Sequence, residues 1–495
     1  MTAGSHPAKA GGTEEGALYS ALRAVTGRGP DAPAVVGYDG VARSRGRLLQ
    51  AADAIAASLG GHGPSRRAVG LAVDDPFTFV ASYFAAAKLG LVVVLLDGDA
   101  APEELARLAA KFDLSLLIRD GAAGSGSIEA EAVGTAPAGA PAPHDYRPTD
   151  FVVHCTSGST GEPKGVVMSQ AAVMERVRSW SQEGELRPSD VVLCALPLWH
   201  GHGIDVLTLP SLLSGAKVVF TRGRQLTARG LAGLVARHAV TVVSGLPVMY
   251  QTLVAAEGVD GAKLGSLRLA LTGSAPIGAD TQARFRERFG LPLRQGYGLG
   301  EIGVITYDGK DAGPGSIGLP MPGIEWRLDP VDPSEGPGGI CELWVRGPSL
   351  ARGYYRDAAA EAEMFVDGWL RTHDLVVEEP DGWFIRGRRS SFINVSGNKV
   401  APLEVETALR ACDGVVDCAV AGVPDGEGGE QIAALVVAGP GRTVESVRRQ
   451  MGARMLPHQL PQKYTFAATV PRTPVGKTDH EAVRRLIEGV GAPTG

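Results

Sequence analysis

Long apolar runs are missing from this chain of 495 residues: nowhere do eighteen apolar residues follow one another, so no membrane-spanning helix is predicted. The first sixteen residues, rich in Gly, Ala, Lys, His and Glu, also lack the apolar centre of a secretory signal, and a soluble, cytoplasmic protein is expected. Cysteine is scarce. The five thiols, Cys155, Cys194, Cys341, Cys412 and Cys418, form no C-x-x-C pair and are odd in number, which excludes a disulfide framework or a readable zinc cluster and suits reduced thiols. A basic surplus is absent too: 48 Lys and Arg against 54 Asp and Glu give a net charge of −6 without blocks of one sign, and nucleic acid is excluded as a partner. Such a length exceeds one ordinary core and predicts at least two domains.

What the chain does have is a loop of hydroxyls and glycines with one lysine, HCTSGSTGEPKG at residues 154–165. Thr156, Ser157, Ser159 and Thr160 offer hydrogen bonds, Gly158, Gly161 and Gly165 let backbone amides approach a ligand, and Lys164 adds a positive charge. That chemistry suits the phosphates of a nucleotide triphosphate. Pro163 before Lys164 and Gly165 after it depart from the Walker pattern, so a different ATP geometry is implied. By composition alone the stretch also reads as a surface linker. Against that, an apolar strand-like run at 151–153 precedes it and a helix-like run at 169–180 follows, predicting a strand-to-helix turn.

Residues 31–119 alternate strand-like and helix-like segments, which predicts βα repetition around a parallel sheet. The valine-rich run at 89–96 is a buried strand of that sheet. Residues 121–143, mostly Gly, Ala, Ser and Pro, read as a flexible surface connection. A second doubly wound unit is expected over 150–295, followed by short strands with Gly/Pro turns that form a β-rich subdomain. A boundary near Gly387 then opens a small α+β domain. The expected fold is therefore α/β: a large domain, residues 15–386, of two doubly wound subdomains plus a β-rich one, and a small mobile α+β domain, residues 387–495.

Further candidates stand at predicted strand ends, where α/β sheets bind ligands. LPLWHGHG at 196–203 groups Trp199, His200 and His202; without a third ligand nearby, a pocket wall or gate suits them better than a metal. LTGSAPIG at 271–278 supplies Gly273, Ser274 and Ala275 for a flat ring. RQGYGLGEIG at 294–303 adds Gln295, Gly296, Tyr297 to stack on adenine and Glu301 to hold magnesium, although an ordinary core tyrosine and a solvated glutamate are the plain alternatives. Asp374 in RTHD and Arg388 in GRR are a pair for ribose hydroxyls, and Lys477 in PRTPVGK sits on a Pro/Gly turn. Each of these charged residues alone is most simply a surface charge.

In order and combination the segments TSGSTGEPKG, PLWHGHG, YGLGE, ELWVRGPSLARGYY, RTHDL, GRRSSFINVSGNKVAPLEVE and PRTPVGK resemble the superfamily of adenylate-forming enzymes: acyl-CoA synthetases, nonribosomal adenylation domains and luciferases. The resemblance spans nearly the whole chain. It implies that residues 156–164 close over the β- and γ-phosphates of ATP, that Glu301 binds Mg2+, that Asp374 and Arg388 hold the ribose, that His200 gates the acyl pocket and that Lys477 is the catalytic lysine. It also implies rotation of the small domain about a hinge at Ser390 between two half-reactions, with Gly397 near the path of an incoming thiol. The chain departs from the family pattern at Gly300 (usually Thr), His373 (usually Gly), Cys341 (usually Gly), and Ser390 and Ser391 at the hinge.

The leading expectation is an AMP-forming acid–thiol ligase: a carboxylic acid is activated as acyl-AMP with release of pyrophosphate, then passed to CoA. A second reading keeps the adenylation but delivers the acid to a carrier protein or an amine, or activates nitrite to diazotise an aryl amine. A third is a nucleotide-binding protein that has lost its catalysis. Pocket walls are expected from His200, Ser244, Leu246, Gly273 and Gly296, with Asp205 placed to meet an amino group; the assembly is expected to be a monomer or homodimer.

Overall fold

The computed structural model describes residues 16–60, 68–121, 127–133, 146–156, 163–223, 226–332, 334, 338–389, 392–395, 398–425, 429–439, 441–473 and 477–489. Among them two large sheets dominate. The seven-stranded sheet runs, in spatial order, Gly353–Tyr354, Lys164–Ser169, Asp150–Thr156, Val92–Leu95, Ala68–Leu71, Leu116–Asp120 and Ile128–Ala132. The nine-stranded sheet runs Leu319–Pro320, Gly303–Tyr307, Leu293–Leu299, Leu269–Thr272, Val242–Gly245, Val191–Cys194, Lys217–Phe220, Pro33–Val36 and Ala42–Ser44. Both have parallel centres and antiparallel edges. The mixed α/β architecture is thus the one expected.

One continuous apolar core contains residues of both sheets and of the helices Ala17–Gly27, Arg45–Gly60, Pro76–Leu89 and Gln170–Glu183. The helix Pro76–Leu89 explains how a layer can be buried on every side: every residue from Pro76 to Ala87 is buried, as its sequence PFTFVASYFAAA requires. Asp75 caps its start through the Thr78 amide at 2.8 Å, and Gly90, in the left-handed conformation, ends it.

Three expectations are corrected here. The strand Pro33–Val36 lies beside Lys217–Phe220 in the nine-stranded sheet, while Asp150–Thr156 lies beside Val92–Leu95 in the seven-stranded one. The two halves therefore exchange strands and do not divide near residue 150. A uniformly apolar strand is equally at home in either sheet, so nothing in its residues marks the exchange. Residues 128–132 form a strand, Ile128–Ala132, antiparallel to Leu116–Asp120, within the stretch read as a surface connection. The alternation IEAEA suits it, since Ile128 and Ala130 pack on the core while the glutamates face out. Finally, the loop after Thr156 joins two antiparallel strands and does not run from strand to helix. Lys164 opens the returning strand Lys164–Ser169, and Ser169 then caps the helix Gln170–Glu183.

Beyond Tyr307 the chain forms an antiparallel five-stranded sheet of Glu325–Pro330, Cys341–Arg346, Phe365–Val366, Trp369–Glu379 and Gly382–Arg388. After the short hairpin Ile393–Val395 and Asn398–Val400, a separate sheet of Val415–Pro424, Glu430–Ala438 and Lys463–Phe466 packs with the helices Pro402–Arg410, Val444–Gly452 and His480–Glu488 around its own apolar clusters.

The hairpin geometry gives Gly165 a different task from the one its loop suggested. A Cβ there would lie 2.4 Å from Phe112 Cε1 and 2.9 Å from Val153 Cγ1, so this glycine is needed for packing. Gly165→Ala is expected to cost roughly 1–3 kcal/mol of stability and lower the midpoint of a circular-dichroism melt. An unchanged melt would show that the Phe112 ring yields freely.

Candidate active site

The candidate residues converge because they sit where strands end. Thr156 closes the strand Asp150–Thr156 opposite Lys164, and its hydroxyl points to the Lys164 carbonyl at 3.5 Å. Ser157, Gly158, Ser159, Thr160 and Gly161 lie outside the described residues, as do Ser390, Ser391 and Gly397. Glu301 stands on the tight turn between Leu293–Leu299 and Gly303–Tyr307. It is buried, and Tyr354 Oη donates to its Oε1 at 2.6 Å. Among the described residues a Cβ at Gly300 would meet Thr156 Cγ2, at 3.3 Å, so the glutamate turn lies directly against the end of the phosphate-loop strand.

A buried ion pair holds that turn. Arg176 donates to Asp205 Oδ2 at 3.0 Å, to the Gly300 carbonyl at 3.0 Å and to the Ser349 carbonyl at 3.3 Å. Asp205 thus gives its Oδ2 to a guanidinium, while Oδ1, the atom that could serve the role expected of it toward a substrate amino group, has no hydrogen-bond partner among the described residues. Sequence reasoning passed over Arg176, yet there was a signal: it lies on the same helix face as Val173, Val177 and Trp180, where a cation needs a buried partner.

Asp374 and Arg388 face each other across neighbouring strands, 3.3 Å apart, and Tyr297 Oη donates to Asp374 Oδ2 at 2.6 Å. Burial raises the Asp374 carboxyl, opposed by the Arg388 charge and the Tyr297 hydrogen bond; burial and then Asp374 raise the Tyr297 phenol. The neighbouring His373 has φ of 58°, a left-handed conformation that favours glycine. Its ring lies 3.2 Å from Glu342 and 3.5 Å from Glu363. Glu342 is nearly inaccessible and also receives Arg371 at 2.8 and 3.0 Å and Arg389 at 2.8 Å. The histidine thus joins an ionic cluster that a glycine could not reach.

His202 begins the π-helical region that ends at Thr208, a widened turn of the kind often kept at functional sites, and His200 lies two residues before it. The His202 amide donates to His200 Nδ1 at 3.2 Å, and the His202 ring is held between Ser274 Oγ at 2.9 Å and Ser244 Oγ at 2.7 Å. Burial depresses both imidazoles, His202 to about 4 and His200 to about 3, so both are neutral near pH 7. Gly273 lies against them: a Cβ there would be 3.3 Å from the Gly296 carbonyl and 3.5 Å from His202 Cε1. Ser274 takes a φ of 66°, and half-buried Ala275 follows it. Gln295 is buried and receives the Ile277 amide at 3.4 Å.

Lys477 comes from the C-terminal segment, on a tight turn where its amide donates to Thr473 Oγ1 at 3.2 Å and the Thr473 amide to its carbonyl at 2.8 Å. The residue is exposed at its surface. Desolvation and then Arg388 lower its ammonium below the usual lysine value, opposed by Glu301 and Asp374, and its charge reaches His200. Groups distant in sequence therefore stand close enough for their charges to act on one another.

The AMP-binding enzyme model matches residues 22–355, and the model for the C-terminal domain of AMP-binding enzymes matches residues 404–477. A feruloyl-CoA synthase from an Amycolatopsis species is 32% identical over 444 residues, covering 85% of this chain and 89% of that protein. An indoleacetate–CoA ligase from Aromatoleum aromaticum is 31% identical over 347 residues, 68% of each chain. Among solved structures, ATP-bound MatB from Rhodopseudomonas palustris superposes with a TM-score of 0.82 at 24% identity, covering 94% of this chain and 98% of its own. The chain belongs to the AMP-binding enzymes, the adenylate-forming ligases.

The buried imidazoles set a pH dependence of stability. In the unfolded chain histidine titrates near ~6.5, whereas folded His202 titrates at about 4, so between those values the unfolded state binds more protons. Stability is then full above ~6.5 and falls as pH drops toward 4, by up to about 1.4 kcal/mol per pH unit for His202. Thermal melts between pH 7.5 and 4.5 are expected to show this slope, and His202→Gln is expected to flatten it. An equal slope in the variant would remove His202 from the cause.

Proposed function

We propose that the protein is an ATP-dependent carboxylate–CoA ligase that forms an acyl-adenylate, releases pyrophosphate and transfers the acyl group to the CoA thiol. The observation that carries this reading is that Lys477 of the C-terminal segment lies within electrostatic reach of Glu301, Asp374 and Arg388. The CoA ligase relatives support the choice of thiol.

In this reading Thr156 to Lys164 form the cradle for the β- and γ-phosphates. Asp374, its carboxylate held by Tyr297 and Arg388, accepts hydrogen bonds from the ribose hydroxyls, while Gly273, Ser274, Ala275, Gln295 and Gly296 bound the purine and the start of the acid pocket. Neutral His200 and His202, with Asp205 paired to Arg176, give that pocket an uncharged wall. Gly273 and Gly296 present backbone without side chains there, and the CoA ligase relatives carry names with aromatic acids as well as with sulfoacetate and long-chain fatty acids.

Glu301 would hold magnesium, since Mg2+ needs few protein carboxylates and keeps phosphate and water ligands. Tyr354 occupies Oε1 and leaves Oε2 uncommitted to any described side chain. When bound, the ion would neutralise the charge that gathers on the phosphates. Lys477 does the same from the opposite domain: the acid's carboxylate attacks an anionic phosphorus, and its ammonium offsets the negative charge of the pentavalent centre. Moving the C-terminal domain, residues 387–495, about Ser390 would then withdraw Lys477 and admit the thiol.

Pyrophosphate release measured over a panel of carboxylic acids, followed by detection of acyl-CoA, tests the proposal. No acid-dependent release would overturn it, and release without thioester would overturn the acceptor. Lys477→Ala is expected to slow adenylation by ~10²- to 10³-fold while sparing thioester formation from supplied acyl-AMP. Because the Lys477 ammonium is lowered, adenylation is expected to fall as pH rises through a value below the ordinary ~10.4. Lys477→Arg should move that descending limb upward; a limb that stays fixed would assign it to another group.

A further inference from the structure

We propose that Tyr354 is a positioning residue of this site: its hydroxyl fixes the Glu301 carboxylate and its ring holds the Lys164 ammonium, so that both are oriented before Mg·ATP arrives. The inference rests on the roles proposed above for Glu301 and Lys164.

The placement follows from strand geometry. Gly353–Tyr354 is a short edge strand antiparallel to Lys164–Ser169, with Tyr354 opposite Val166. Lys164 is two residues further along that neighbour and so on the same face, within diagonal reach of a large ring. Lys164 Nζ indeed lies 5.4 Å from the Tyr354 ring centroid, a cation–π distance. The next residue turns to the opposite face, as strand alternation demands: Tyr355 stacks on Tyr146 at 4.5 Å and donates to Asp113 at 2.8 Å. Both tyrosines are buried, Tyr355 in one apolar cluster and Tyr354 in another, and of the two it is Tyr354 whose hydroxyl reaches Glu301.

Tyr354 is itself firmly held. Phe365 packs edge-on against its ring at 5.4 Å and 81°, and its amide donates to Glu361 Oε2 at 3.1 Å. Burial and then Glu301 push its phenol well above the usual value, so it remains a donor throughout the working pH range. The 2.6 Å hydrogen bond selects one orientation of the Glu301 carboxylate by fixing Oε1. Removing the hydroxyl would leave a buried carboxylate oxygen without its donor, a loss that falls on the glutamate and its ligand.

Tyr354→Phe keeps the ring and its packing. It is expected to weaken Mg·ATP about tenfold, read both as KM and as a Kd from calorimetric titration without acid substrate, with kcat changed much less. The Mg2+ concentration giving half-maximal activity should rise in parallel. A double-mutant cycle supplies the readout that a merely structural role would not move: in a Glu301→Gln background Tyr354→Phe should add nothing. Additive losses would overturn the inference. If Glu301→Gln weakened Mg·ATP and Tyr354→Phe did not, the inference alone would fall. If Glu301→Gln had no effect on binding, the metal role assigned to Glu301 would fall with it.

Discussion

The buried guanidinium of Arg176 ties together four separate parts of this molecule: its own helix, the π-helical turn through Asp205, the Glu301 turn through the Gly300 carbonyl, and the loop at Ser349. Buried ion pairs gain little net stability over an apolar substitute, because desolvation consumes most of the attraction. What this one provides is registration. The helical turn bearing the neutral histidines and the turn bearing the acidic residue cannot drift apart without leaving a charge unpaired in the interior.

The site built on that frame keeps its charges under tension. Asp374 is pushed toward its neutral form and Lys477 toward its own, both by desolvation, even though opposite charges stand nearby. Such groups are better satisfied by a ligand carrying hydroxyls and phosphates than by one another. The histidines show the opposite arrangement, already satisfied by serine hydroxyls and by each other, and so contribute shape and polarity without charge.

Much of this was legible in the sequence. The alternation over residues 31–119 was readable, and at the helix Pro76–Leu89 Pro at the start and Gly beyond the end punctuate a largely apolar run. The members of the site announced themselves as motifs, since glycines and hydroxyls near strand ends have few structural reasons to cluster. What stayed hidden were relations between segments. Residues 164–169 were read through the glycine and lysine that open them, and the valines that make them a returning strand went unweighed. The exchange of Pro33–Val36 and Asp150–Thr156 between sheets depends on pairing partners far away in sequence. Arg176 and Tyr354 escaped because each acts through a backbone carbonyl or a carboxylate supplied by a distant turn.

The grip of Arg389 on Glu342 has a mechanical side. The strand Gly382–Arg388 stays paired through its last residue, where Arg388 lies opposite Asp374, and the next side chain is anchored in the five-stranded sheet. The chain is thus clamped up to residue 389, and any reorientation of the segments beyond it pivots downstream of a fixed point. Asp374 and Arg388 therefore belong to the five-stranded sheet, and the rotation proposed above would leave them in place while carrying Lys477 with the segments beyond residue 389.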